Sequence, residues 1–332
     1  MKIAFRADAG VEQGSGHVVR TLTLAREFQQ SGHDVKVLGA IRGTPWLTEL
    51  IDSSGVNWQD TDANNLNLKD LLKQNFDLLV VDSYEIPTEL INSTAQKIET
   101  LAIVDHQNRG ISAQYLLDQN LGARKFLTDA RTRQLIGPQF ALVRKEIRDL
   151  RRTSSSRLSK TEKPNILVMF GGTDPRNLSL IVSETIKSVD TDFEIQFVAP
   201  QANINSIRSN LPANRANIHE LTPKIEVLLS KADVVFSAAG TSVLDISCIG
   251  IPSIYMSIAE NQNPVIGAID YLGLGLTVKS ETNSRKFKDE ILEFIYACAF
   301  DRHLREDLFT NSQELVDGLG ARRVVELVEF KS

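Results

Sequence analysis

The chain has 332 residues, 42% of them hydrophobic and 24% charged, proportions that exclude a disordered or collagen-like polymer and require a buried core. At roughly 150 residues per domain this length predicts two lobes, and 19 glycines with 10 prolines leave little room for a long low-complexity linker. A formal net charge of -5 excludes the overall basic footprint of a nucleic-acid binder and leaves only a local basic groove open.

In chain order, Met1–Phe5 runs straight into Arg6, too short an apolar stretch for a signal peptide. No apolar run approaches ~18 residues, so the expected location is the cytoplasm. Ile3–Phe5, Val35–Leu38, Leu78–Val81 and Leu101–Val104 are short apolar runs bounded by Asp, Gly or Asn, the pattern of buried parallel strands. Between the first two, Val18, Leu22, Ala25 and Phe28 recur at helical spacing and Gly32 stands where a helix cap is expected. Strands alternating with helices predict an α/β layer fold with right-handed crossovers.

The loop after the first strand carries Gly14 and Gly16 just before that helix. Glycines at a helix start let the backbone turn tightly and leave N–H groups for a phosphate or another anion. A dinucleotide fingerprint fits poorly: Arg20 stands at the third glycine, and the second strand ends Leu38-Gly39-Ala40 without an acidic ribose ligand. His17 lies just inside the helix, with Arg6 and Arg20 close in sequence. That positive setting disfavours an imidazolium and makes His17 a candidate general base. Asp8, on the same loop, is the candidate to orient its ring. A helix-capping histidine without chemistry is the equal alternative. His33, His219 and His303 look like surface or turn residues.

Residues 151–164, polar and basic up to Pro164, are expected to link a first lobe, 1–150, to a second, 165–319. Ile166–Phe170, Glu194–Val198, Val234–Phe236 and Ser253–Tyr255 repeat the strand signal there. Two such lobes predict an interdomain cleft facing the carboxyl ends of both sheets. A last helix from about Gly320 to Val328, in the segment 320–332, would set Val324, Leu327 and Val328 on one face and pack back on the first lobe. Cys248 and Cys298 suit neither a zinc pair nor a redox motif and read as buried thiols.

Two glycine turns leave strands of the second lobe: Gly171-Gly172-Thr173-Asp174-Pro175 and Ala239-Gly240-Thr241-Ser242. Thr173 or Asp174 would cap a helix beginning near Pro175. Small residues at a helix start let a diphosphate reach backbone N–H groups, with Asp245 placed to accept from a ribose diol. Each turn is also ordinary turn chemistry. Glu260-Asn261-Gln262 concentrates groups able to bond sugar hydroxyls or acetamido groups, or is a polar loop ahead of Pro264. Asp60-Thr61-Asp62 and Asp190-Thr191-Asp192 match an acidic metal motif but lie among turn formers and are taken as solvated loops. No His, Cys and carboxylate cluster has metal-ligand spacing.

Taken together, Arg6-x-Asp8, Gly14-x-Gly16-His17-x-x-Arg20, Val81-Asp82-x-Tyr84, Leu117-Asp118-Gln119-Asn120-Leu121-Gly122, Gly137-Pro138 with Ala141-Leu142-Val143-Arg144, Gly171-Gly172-Thr173-Asp174-Pro175, and Ala239-Gly240-Thr241 with Glu260-Asn261-Gln262 carry a resemblance. Their order and spacing resemble the UDP-2,4-diacetamido-2,4,6-trideoxy-β-L-altropyranose hydrolases of pseudaminic acid biosynthesis. That family is similar in fold to the bacterial peptidoglycan GlcNAc transferase, a two-lobed GT-B enzyme with Rossmann-like lobes. The resemblance implies UDP held by the second lobe and water activated by His17, with inversion at the anomeric carbon. It implies substrate contacts at Arg6, Gly14, Gly16, Arg20, Asp82, Tyr84 and Asn120 on the first lobe. On the second it implies contacts at Gly171, Gly172, Thr173, Ala239, Gly240, Thr241, Asp245, Glu260, Asn261 and Gln262. No metal or redox cofactor is implied; the partner is a small-molecule UDP-sugar, with no nucleic acid and no membrane insertion. The family often has Glu where Asp245 stands, His where Ser83 stands, and a more acidic stretch near 104–109. Competing classes are a GT-B glycosyltransferase and a non-catalytic sugar-nucleotide-binding module.

Overall fold

The computed structural model describes residues 1–10, 14–43, 45–61, 68–151, 163–187, 193–211, 214–258, 262–282 and 284–330. The chain divides into two compact units: Met1–Arg144 with Gly318–Ser332, and Lys145–Asp317.

The first unit opens with β1 (Lys2–Ala7), α1 (Gly16–Gln30), β2 (Asp34–Gly39), α2 (Pro45–Ser54), β3 (Asn57–Asp60) and α3 (Leu68–Lys73). It continues through β4 (Leu78–Asp82), α4 (Thr88–Ala95), β5 (Glu99–Ile103), β6 (Tyr115–Asp118) and β7 (Arg133–Ile136). The seven strands form one parallel sheet in the order β3-β2-β1-β4-β5-β6-β7. Strand order reverses between β1 and β4, and open parallel sheets bind ligands at the carboxyl end of such a switch point. Ala7 there pairs with Asp82, so the loop carrying His17 leaves β1 beside the end of β4.

α1 buries Val18, Leu22, Ala25 and Phe28, the face its apolar spacing predicts. Two sheet faces carry separate cores. Phe5, Val37 and Val80 pack with α1 on one side, and Leu79, Val81 and Leu116 pack with Ile91 on the other.

The second unit begins at α5 (Lys145–Arg151) and runs through β8 (Asn165–Met169), α6 (Leu178–Ile186), β9 (Glu194–Ala199), α7 (Gln201–Asn210), β10 (Ala216–Glu220) and α8 (Ile225–Leu229). It ends with β11 (Val234–Ala238), α9 (Ser242–Ile249), β12 (Ser253–Met256), α10 (Asn263–Leu272), β13 (Leu276–Thr277), α11 (Arg285–Phe300) and α12 (Arg302–Leu315). Its parallel sheet has the order β10-β9-β8-β11-β12-β13, reversing between β8 and β11. Both glycine turns follow the two strands that flank this switch point.

The first unit stops at Arg144, not at residue 150. The reason is α5, whose Arg151 donates to the carbonyls of Cys248 (3.0 Å), Val316 (2.8 Å) and Gln313 (2.8 Å) and so binds the helix to the second unit. Of the expected linker, residues 152–162 lie outside the described residues.

The chain then returns to the first unit as α13 (Gly320–Glu329), which packs on α1. The apolar face of α13 differs from the expected one: Val324, Val325 and Val328 are buried, while Leu327 is 38% exposed. Burying each valine contributes about 1.5 to 3 kcal/mol. His33, expected to be a surface or turn residue, ties α13 down through Nε2 to Glu329 at 2.6 Å. Among the described residues no helix is long and apolar enough to cross a membrane.

Candidate active site

In the first unit, His17 and Arg20 are three residues apart on α1 and therefore share a face; both reach Asp82. His17 Nδ1 lies 2.6 Å from Asp82 Oδ1. Arg20 grips the same carboxylate with a fork, Nε to Oδ2 at 2.6 Å and Nη2 to Oδ1 at 2.7 Å. Its outer edge grips Asp105, Nη1 to Oδ1 at 2.6 Å and Nη2 to Oδ2 at 2.9 Å. Asp105 also accepts from the Tyr84 hydroxyl at 2.8 Å and from Asn120 Nδ2 at 2.7 Å. The Tyr84 ring meets the His17 imidazole edge to face, centroids 5.1 Å apart.

Burial works against the Asp82 charge, and Arg20 followed by His17 outweighs it, so the carboxyl stays below the usual range. Asp105 is likewise opposed by burial and held low by Arg20. Burial would weaken the Arg20 charge, but Asp105 and Asp82 raise its affinity for the proton well above the ordinary value. Burial and then Asp105 push the Tyr84 phenol up, so it remains a hydroxyl donor.

These ionisation states fix the imidazole tautomer. Nδ1 lies between Asp82 Oδ1 at 2.6 Å and Arg20 Nη2 at 3.1 Å; the shorter contact is to an ionised carboxylate, which only accepts, so Nδ1 donates to Asp82 and the lone pair falls on Nε2. Among the described residues no group bonds Nε2, and the side chain keeps 15% exposure. Of the two arginines expected near the ring, Arg20 meets it, with Nη2 3.1 Å from Nδ1, while Arg6 pairs with Asp8 instead. The Arg20 guanidinium faces two carboxylates, Asp82 and Asp105.

Asp8 does not orient the imidazole. Its carboxylate pairs with Arg6 Nη1 at 2.6 Å and accepts from the Ala40 N–H at 2.8 Å and Ser83 Oγ at 3.1 Å, joining the ends of β1, β2 and β4. The reason is strand alternation: positions 6 and 8 point to one side and find each other, while His17 finds its partner on the adjacent strand.

Several expected substrate contacts are interior. Arg6 and Asp82 are each 1% exposed and Arg20 is 4% exposed, and Asn120 Nδ2 is divided between Asp105 and Asp118. Tyr84, 51% exposed, stays open to a ligand. Gly14 adopts φ 76° and its N–H closes the loop on Gly10 O at 2.9 Å, and Gly16 opens α1. Sequence reasoning missed Asp105 as a site residue.

In the second unit the two glycine turns are not equivalent. Gly171 has φ 79° with open space where a Cβ would stand, and Gly172 and Thr173 are partly exposed. The helix that follows starts at Leu178, not near Pro175, and Asp174 closes it. Its carboxylate accepts from Leu178 N at 2.8 Å, Ser179 N at 3.0 Å and the Ser179 hydroxyl. The first N–H groups of α6 are thus taken by a built-in carboxylate.

α9, by contrast, has Thr241 as N-cap with no side-chain cap bond, and follows buried Ala239 and partly exposed Gly240. A Cβ on Gly240 would lie 3.6 Å from Gln262 Nε2, and Gln262 Oε1 accepts from Ile258 N at 2.9 Å. Gly240, Thr241 and Gln262 are therefore brought together, with Asp245 in the first turn of α9. Glu260, Asn261 and the acidic stretch at 190–192 lie outside the described residues, as does Asp62.

No family model matches the chain. It is 26% identical over 269 residues to the uncharacterised protein MJ1062 of Methanocaldococcus jannaschii, a match that takes in 77% of this chain and only 55% of that protein's length. It is 24% identical over 351 aligned positions to the spore coat polysaccharide biosynthesis protein SpsG of Bacillus subtilis, covering 99% of this chain and 98% of that one. Over 198 residues it is 27% identical to the UDP-2,4-diacetamido-2,4,6-trideoxy-β-L-altropyranose hydrolase of Campylobacter jejuni, covering 57% of this chain and 67% of that one. Among solved structures it matches MurG of Acinetobacter baumannii with TM-score 0.71 at 14% identity, covering 99% of each chain. The fold is GT-B, and the resemblance to the SpsG and altropyranose hydrolase proteins extends from motifs to aligned sequence.

Proposed function

We propose that the protein hydrolyses a UDP-linked 2,4-diacetamido-2,4,6-trideoxyhexose to the free sugar and UDP, a step toward a nonulosonic acid such as pseudaminic acid. His17 Nε2 takes a proton from water as the water oxygen bonds the anomeric carbon. The bond from that carbon to the diphosphate oxygen breaks, its electron pair leaves with UDP, and a single displacement inverts the centre. Asp82 holds the ring in the tautomer that leaves Nε2 basic and stabilises the imidazolium that forms. A diphosphate is a weak base and needs little protonation to depart. The uncapped start of α9, with Gly240 and Thr241, is suited to hold its charge, with Gln262 alongside and Asp245 near the ribose.

One observation carries the reading: an imidazole held by a carboxylate at 2.6 Å on Nδ1 with Nε2 left open. Nucleotide binding alone requires no base. The likeness to MurG favours a second reading, in which an acceptor hydroxyl replaces water at the same base.

Incubating the protein with the UDP-sugar in oxygen-18 water, without acceptor, separates these. Label in the sugar is the expected result. Label in UDP would overturn attack at carbon, and turnover that appears only on adding an acceptor would establish transfer.

A further inference from the structure

Tyr84 lies against the proposed base and is half-exposed, so something must keep its ring from swinging into solvent. Its hydroxyl is tied to Asp105, which fixes one end. The other constraint is Arg109. The guanidinium carbon stands 4.9 Å from the Tyr84 ring centroid, within cation–π range. Nη2 donates to the carbonyl of Ser83 at 2.9 Å and Nη1 to that of Tyr84 at 3.2 Å. One planar group thus covers the ring and grips the backbone on either side of the Tyr84 peptide nitrogen. No carboxylate of the described residues pairs with Arg109, so ion pairing does not explain its place.

The loop that presents Arg109 is shaped for the task. Arg109 and His106 both take left-handed backbone conformations, φ 52° and 58°, and Gly110 follows at φ 74°. A left-handed conformation at a non-glycine residue is costly and persists only where surrounding contacts enforce it. Asp105 begins the same loop and reaches both Arg20 and Tyr84. The loop therefore supplies both clamps on the ring.

We propose that Arg109 is a positioning residue of the His17 site: it fixes Tyr84 edge to face with the imidazole, acting through the ring and not on the reacting atoms. The kinetic part rests on the hydrolase reading given above. The structural part does not, because it concerns only the contact between Tyr84 and His17.

The test joins NMR of the His17 imidazole with kinetics in R109A, R109K and Y84L. An aromatic ring this close imposes a ring-current shift on the His17 Cε1–H resonance, which Y84L removes. R109A is expected to move that resonance toward the Y84L position. R109K is expected to move it too, because an ammonium cannot lie flat on the ring and fork to two carbonyls. Turnover of the UDP-sugar should fall about 10- to 100-fold in R109A, with KM much less affected. In a Y84L background R109A should cost less than about 2-fold more. A His17 resonance unmoved in R109A and R109K while Y84L shifts it would overturn the proposal, as would equal losses from R109A with and without Tyr84. Absence of hydrolysis in the unsubstituted protein would instead sink the hydrolase reading, and the NMR comparison would still decide the role of Arg109.

Discussion

Two aspartates in the first unit, 82 and 8, separate ring orientation from strand tying. Asp82 accepts from both His17 and Arg20, and replacing it by Asn permits the wrong tautomer; D82N should lower kcat by about 100- to 10,000-fold. Asp8 bonds Arg6, Ala40 and Ser83 and not His17, so D8N should cost stability while lowering kcat by less than about 10-fold. Steady-state rates below both unfolding temperatures decide the matter, and equal losses would return the orienting role to Asp8. The same cluster sets an acid limit. Arg20 overrides burial to hold the Asp82 and Asp105 carboxyls below their usual range. Such carboxylates contribute stability that is present above the unfolded value of about 3.9 and is lost as pH falls through the depressed folded value. The first unit should therefore keep its stability down to about pH 4 and lose it below, with a shallower loss in D105N. Urea midpoints followed by tryptophan fluorescence test this, and an unchanged slope in D105N would refute it.

The last helix offers the sharpest test among the elements, because its entry depends on one missing side chain. A Cβ on Gly320 would lie 2.4 Å from Ala141 N, Ala141 O and Phe140 C, backbone atoms that cannot swing aside. G320A should therefore destabilise the first unit by about 1 to 3 kcal/mol by lifting α13 off α1. Chemical denaturation reads this directly, and an unshifted midpoint would mean that α13 contributes little. The elements also show where sequence was informative. Continuous apolar runs marked β1, β4 and β5, strands covered on both faces, whereas Lys36 interrupts the run of β2 and only one of its faces is fully buried. β3 (Asn57–Asp60) and β10 (Ala216–Glu220) escaped because they are edge strands, with polar residues where a central strand has apolar ones. His17 was legible from the glycine loop, but its partner was not, since a shared loop pointed to Asp8 and only sheet order brings Asp82 alongside. A signal for Asp105 did exist. Val81-Asp82, Val104-Asp105 and Leu117-Asp118 each end an apolar run in aspartate, and the carboxyl edge of a parallel sheet gathers such residues at one place.

At the level of the whole molecule, the chain carries separate natural probes of its two units. Its two tryptophans, Trp46 and Trp58, belong to the first unit, and its two cysteines, Cys248 and Cys298, to the second. Both thiols are fully buried, and burial pushes each up to about 12, so labelling at neutral pH requires the second unit to open. If UDP is held by the second unit, it stabilises that unit by mass action, about 2.7 kcal/mol at 100 times its Kd. In moderate urea, where opening is fast relative to labelling, the rate of thiol modification should then fall about 100-fold. The tryptophan midpoint should move far less, because the ligand's free energy enters only the equilibrium of the unit that holds it. Parallel shifts of equal free energy in both probes would show that the nucleotide does not distinguish the units. A shift confined to tryptophan would move the nucleotide site to the first unit and overturn the assignment to the α9 turn.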